Sequence, residues 1–224
     1  MRADQIKRHR EDANLRGVLT SFPGEEYARV GAAGVTFPGD SDKAAEQFRS
    51  FSAIAVAGFL DAAFLATLQR LCDTGTFVPG ASPVGLREEE YPPRAGRALN
   101  LALRHGPFLR WLERVTHCGR LGRVEGFVKQ THPKPGNDLV WHDDLNAPNR
   151  CLGITINLGT TAFAGGEFEL RRKDGPTLLQ HKYTTAGSAL IFAVGPGLEH
   201  RVLPMTEGGP RRVYAGWALG AQKQ

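Results

Sequence analysis

The second half of the chain constrains the fold most. From Leu121 onward, short runs alternate apolar and polar residues between turn residues: Val124–Gln130, Leu139–His142, Cys151–Leu158, Glu167–Arg171, Thr177–Lys182, Ala189–Ala193, Arg201–Leu203 and Arg211–Leu219. No helical periodicity separates these runs, so parallel strands joined by helical crossovers are excluded. The expectation is an antiparallel sandwich or barrel. Upstream, Phe51–Ala57 reads as a short strand. Asp61 then caps a helix whose Phe64/Leu65, Leu68 and Leu71/Cys72 recur at helical spacing. A second helix is expected over about 106–117, with Phe108, Trp111, Leu112 and Val115 on one face. Both helices would cover one sheet from outside.

Between them, Thr76–Arg97 carries Pro79-Gly80, Pro83 and Pro92-Pro93 around the acidic run Glu88–Glu90, and reads as a long solvated loop. Residues 3–19 suit a polar helix. Residues 1–50 hold no chemical motif and read as an N-terminal extension packing on a core domain of residues 51–224.

Apolar residues make up 41% of the 224 and charged residues 23%, which excludes wholesale disorder. Cys72, Cys118 and Cys151 are odd in number and far apart, so a disulfide scaffold is excluded and a reducing, cytoplasmic setting is expected. Met1–Asp12 is charged throughout and no apolar run follows it, unlike a secretory signal. Phe51–Leu68, the most apolar stretch, is broken by Ser52, Gly58 and Asp61, which argues against a membrane span. The net charge of +5 comes from scattered basic residues. That argues against a nucleic-acid partner and suits capture of anionic small molecules.

Chemistry-bearing residues concentrate in the β-rich half. On a strand, His142 and Asp144 would project to one side and Asp143 to the other. A histidine and a carboxylate so placed, closed by the remote His200, form a two-histidine, one-carboxylate face. Such a face fills three adjacent positions on a metal and leaves others open, as non-haem Fe(II) requires. Zinc in a hydrolase would also accept these ligands. Further on, Arg211 shares a strand face with Val213, Ala215 and Trp217. A guanidinium on that inner face needs an anion, and no acid on its strand supplies one, so a ligand carboxylate is the candidate partner. Trp217 itself reads as core, and Arg212 as an outward surface residue. Trp141, Asp143, Asn146 and Arg150 surround the His142 turn and are candidate substrate contacts. Gly165 and Gly166 read as a hairpin turn or close backbone approach. The other histidines, His181 among them, read as ordinary structural or surface residues.

In this order the stretches Trp141-His142-Asp143-Asp144, Leu152–Leu158, Gly165–Leu170, His200-Arg201-Val202, Arg211 and Trp217 resemble the Fe(II)/2-oxoglutarate-dependent oxygenases, in particular the prolyl-4-hydroxylase-like branch. Gly58-Phe59-Leu60-Asp61 resembles that branch's usual entry to its first helix. The resemblance spans about residues 52–219. It implies a mainly β fold, a double-stranded β-helix (jelly roll) with N-terminal helices packed on one sheet. It implies Fe(II) held by His142, Asp144 and His200. 2-Oxoglutarate would chelate the iron, with its distal carboxylate on Arg211, and O₂ is the second cosubstrate. The expected reaction hydroxylates an unactivated C–H bond of an amino acid, biosynthetic intermediate or peptidyl residue, releasing succinate and CO₂. Related halogenases lack the carboxylate ligand that Asp144 supplies. Family members often place a hydroxyl donor near the distal carboxylate. Here the position that is often tyrosine falls among Lys129, Gln130 and Thr131.

Two alternatives stand beside this reading. One is a non-catalytic jelly-roll protein that binds a metal or ligand. The other is a nucleic-acid demethylase of the same superfamily, which Trp217 opposes, because that branch carries a second arginine six residues after the first.

Overall fold

The computed structural model describes residues 24–80 and 85–221. The polar helix expected over residues 3–19 lies outside them. In chain order the elements are β1 (Arg29–Gly31), β2 (Gly34–Thr36), α1 (Ser41–Phe51), β3 (Ala53–Val56), α2 (Ala62–Asp73), β4 (Thr76–Pro79), β5 (Glu88–Tyr91), α3 (Arg94–Leu103) and α4 (Gly106–Thr116). The β-rich half follows with β6 (Leu121–Thr131), β7 (Leu139–His142), β8 (Arg150–Asn157), β9 (Phe163–Gly165), β10 (Phe168–Arg172), β11 (Thr177–His181), β12 (Ala189–Ala193), β13 (Leu198–Val202), β14 (Met205–Gly208) and β15 (Arg211–Gly220).

Two antiparallel sheets make the body. The larger runs β3-β12-β8-β15-β6-β5-β4 and the smaller β11-β10-β13-β7. Strand alternation sorts β15 into two faces. Tyr214 and Ala218 look toward the helices and join Leu68, Leu99, Phe108 and Leu112 in one buried core. The Tyr214 hydroxyl donates to Asn100 Oδ1 of α3 at 2.7 Å. Between the sheets lies a second apolar cluster. Ala53, Ala55, Leu190 and Phe192 enter it from the larger sheet, Phe168, Leu170 and Leu179 from the smaller. This is the expected double-stranded β-helix, with helices on one outer face. Tyr27, Ala28, Val30, Ala44 and Ala45 carry the described part of the first fifty residues into the helix-side core.

The segment 76–97 departs from the expected loop. β4 and β5 pair as a hairpin that extends the larger sheet through Glu88↔Gln130 and Glu89↔Lys129. Glu90, only 4% exposed, accepts from Ala95 N at 2.8 Å and Gly96 N at 3.0 Å. It therefore supplies the anion that the unpaired N–H groups opening α3 require, because Pro93 makes no side-chain cap there. An acidic run that resembles a solvated loop is a strand whose residues meet different partners. Neither α3 nor the small β9–β14 pair was expected. Arg212 also differs from the outward surface residue expected: it donates to Gln130 Oε1 at 2.7 Å and pairs with Asp73 of α2.

Candidate metal centre

β13 pairs with β7 so that His200 stands directly opposite His142, with ring centroids 4.2 Å apart. β7 ends at His142, so strand alternation stops there. Asp144 instead takes a left-handed backbone conformation (φ 60°), which Asp tolerates better than most residues. This turn, and not the expected continuation of the strand, returns its carboxylate to the two imidazoles. Asp144 Oδ1 lies 3.7 Å from His142 Nε2, and Oδ2 lies 3.4 Å from His200 Nε2. One donor atom from each residue falls within 4.8 Å of the others. Asp143 uses its Oδ1 to accept from Leu145 N at 3.1 Å and is not part of that group.

The environment prepares these donors. His142 Nδ1 donates to Val140 O at 2.7 Å, which leaves Nε2 as the lone-pair nitrogen facing Asp144. Burial, then the neighbouring His200, push the His142 pKa down, so it stays neutral. Burial alone would raise the Asp144 pKa. Hydrogen bonding and charge from His200, Trp217 and His142 outweigh burial and hold the carboxyl well below its usual range. Trp217 Nε1 donates to Asp144 Oδ2 at 2.7 Å. Arg150 donates to Asp144 O at 3.0 Å and to Asn146 Oδ1 at 2.9 Å, with its guanidinium 3.7 Å above the Trp217 ring.

A cavity of about 370 Å³ opens beside these groups. Asp143, Asn146 and Arg150 line it, as do Arg87, Lys129 and Trp217. Trp141 is not among the lining residues. It lies beneath the guanidinium groups of Arg171 (4.0 Å) and Arg201 (4.6 Å). Sequence reasoning missed the Trp217 indole as a partner of Asp144, because an aromatic residue on a strand reads as core. It also missed Lys129, whose cross-strand partner is Val213 on the inner face of β15 and which pairs with Glu89 at 3.1 Å.

Arg211, 6% exposed, lines a smaller adjoining cavity that shares Arg87, Leu139 and Val202 with the first. Among the described residues it has no ion pair, and its Nε has no hydrogen-bond partner. Glu167, whose charge reaches it, pairs instead with Lys182 at 3.5 Å. Gly166 makes room for Arg211, since a Cβ there would meet Arg211 Cδ at 3.1 Å. The Arg211 guanidinium stands 5.3 Å from the ring of Tyr183, whose hydroxyl bonds Thr155 Oγ1. A hydroxyl-bearing side chain thus reaches this region from beyond β11, and Thr131 of the Lys129–Thr131 stretch stands directly across from Arg211.

A buried guanidinium lacking an anion, beside two imidazoles and a carboxylate, fits a metal chelated by a diacid. Residues 127–219 match the family model described as the 2OG-Fe(II) oxygenase superfamily. Over this stretch the chain is similar to the 2OG-Fe(II) oxygenases, and the donor set with Arg211 suits Fe(II) and 2-oxoglutarate. No curated protein sequence matches it significantly. Solved structures share the fold. A 2OG-Fe(II) oxygenase-family oxidoreductase from Burkholderia pseudomallei superposes with a TM-score of 0.63 at 18% identity, covering 84% of this chain and 96% of that one. A prolyl-4-hydroxylase from Pseudomonas putida gives 0.60 at 17%, covering 82% and 100%. The epimerase SnoN, in complex with Fe3+, alpha ketoglutarate and nogalamycin RO, gives 0.56 at 15%, covering 81% and 84%. Among the described residues, no helix is long and apolar enough to cross a membrane.

Proposed function

We propose that this protein is an Fe(II)/2-oxoglutarate-dependent dioxygenase that hydroxylates an unactivated C–H bond of a small molecule, such as an amino acid or biosynthetic intermediate, or of a peptidyl residue. In this reading residues 51–224 form the catalytic domain and residues 1–50 an extension packed on it. His142, Asp144 and His200 hold the iron, and Arg211 binds the distal carboxylate of 2-oxoglutarate. The observation that carries the reading is the buried Arg211, without an acid partner among the described residues and sharing an interior with that three-residue donor set.

Iron bound there supplies O₂ activation coupled to decarboxylation of the cosubstrate, with succinate and CO₂ released. The chain's own part is binding, orientation and exclusion of side reactions. His142 offers Nε2 because Val140 holds its other nitrogen. Asp144 stays ionised and is oriented by Trp217 and Arg150. Phe168 and Phe192 line the cavity beside His200, their ring centroids 5.5 Å and 4.7 Å from that of the imidazole, and give that wall an apolar surface. Asp143, Asn146 and Arg150 lie on the same cavity and are the proposed substrate contacts; Trp141 packs elsewhere and is set aside.

A mass-spectrometric screen of metabolites and short peptides tests the reading, with gain of one oxygen and stoichiometric succinate as the expected products. His142→Ala or His200→Ala should abolish iron binding and turnover. Arg211→Ala should keep the iron and raise the Michaelis constant for 2-oxoglutarate steeply. Unchanged cosubstrate affinity in Arg211→Ala would remove that residue from the mechanism.

A further inference from the structure

His181 is buried at 7% exposure, and neither of its ring nitrogens has a hydrogen-bond partner among the described residues. A buried imidazole without partners loses the hydrogen bonds it made in water, at a cost large enough that such groups call for a ligand or an ordered water. Its position suggests which. His181 stands directly across from Phe168, which lines the metal cavity. Its ring meets the Tyr183 ring edge-on at 4.7 Å, and the Arg211 guanidinium lies 5.3 Å from that same ring. Histidine, tyrosine and arginine therefore form one buried polar cluster in the interior otherwise filled by Phe168, Leu170, Leu179 and Phe192. Of the three, only Tyr183 has its polar atom bonded, to Thr155.

We propose that His181 is a cosubstrate-binding residue whose imidazole N–H donates to the distal carboxylate of 2-oxoglutarate beside Arg211. This rests on the reading of Arg211 given above. It gives the orphaned imidazole a function and supplies a second donor to a carboxylate that one guanidinium leaves partly unsatisfied. Burial, then the Arg211 charge, lower the His181 pKa to about 4, so near neutral pH the ring is uncharged and carries one N–H.

The test is equilibrium binding by the full chain loaded anaerobically with Fe(II), read from the visible metal-to-ligand band. Two probes are titrated: 2-oxoglutarate, and 2-oxobutyrate, which has the chelating head but no distal carboxylate. His181→Leu should weaken 2-oxoglutarate about ten- to a hundredfold, as loss of one hydrogen bond to a charged group implies, and leave 2-oxobutyrate unchanged. His181→Gln, which keeps a donor, should recover much of that loss. His181→Phe serves in place of the leucine variant should that one not fold. Equal weakening of both probes would mean a structural role and overturn the inference. Wild-type 2-oxoglutarate affinity in His181→Leu would overturn it as well, and a parallel loss in Arg211→Met would leave the arginine reading standing. If Arg211→Met also discriminates the two acids like wild type, the arginine socket itself is wrong and His181 falls with it.

Discussion

The carboxylate of Asp144 is oriented by two neighbours on the larger sheet. Trp217 bonds Oδ2, and Arg150 holds the backbone carbonyl while lying over the same indole. Groups behind a metal ligand commonly change metal affinity 10–100-fold when removed. Trp217→Phe keeps a ring beneath Arg150 but deletes the N–H. It should therefore weaken Fe(II) or Co(II) binding about tenfold in a competition titration, with little change in thermal stability of the metal-free protein. His181 makes a second prediction at this scale. Its pKa of about 4 in the folded protein lies below the ordinary 6.5. Between those values the unfolded chain binds a proton that the folded one refuses, so stability falls as pH falls. From about pH 7 to about pH 5 this one group should cost on the order of 2 kcal/mol. Urea unfolding of metal-free His181→Leu should show a correspondingly smaller loss than wild type over that interval. An identical loss would mean that the ring is protonated in the fold.

Among elements, α3 depends on a residue outside itself. Glu90 on β5 receives the N–H groups of Ala95 and Gly96, and α3 in turn presents Asn100 to Tyr214 of β15 and to Gly126 O of β6. Glu90→Ala leaves buried donors unsatisfied and should destabilise the protein by about 1–3 kcal/mol, measured as a lower urea midpoint. Glu90→Gln, which still accepts, should cost less. This contact also marks where the sequence was hard to read. β6 and β15 were legible because a half-buried strand writes its two faces as alternation. β8 and β12, largely buried on both faces, were legible as short apolar runs between turn residues. His142, Asp144, His200 and Arg211 stand out in the sequence as candidates because few other arrangements explain them together. Glu90, Tyr183 and His181 do not: Glu90 serves a nearby helix whose start carries no capping side chain, and Tyr183 and His181 take their meaning from Thr155 and Arg211, far away in the sequence. β9 and β14 are three and four residues long, too short for any period to appear. The face that Asp144 shares with His142 comes from a turn and not from strand alternation, and Asp143 lines the same cavity.

At the scale of the molecule, the proposed ligands join parts that the backbone keeps separate. His142 and His200 belong to the smaller sheet, whereas Arg211 and Trp217 stand on β15 near the middle of the larger. A metal on the first pair, carrying a diacid that reaches Arg211, would cross-link the two sheets through their shared interior. Such binding stabilises only the folded form. At a hundred times its dissociation constant, a ligand adds about 2.7 kcal/mol, or roughly 5–10 °C in midpoint for a chain of this size. Co(II) alone should raise the melting temperature, and 2-oxoglutarate should raise it again only when the metal is present. Arg211→Met should keep the first increment and lose most of the second. His200→Ala should lose both, because without the metal the diacid has only its distal end held. If 2-oxoglutarate stabilised His200→Ala as fully as wild type, the acid would be binding away from the metal and the two sheets would not be joined through it.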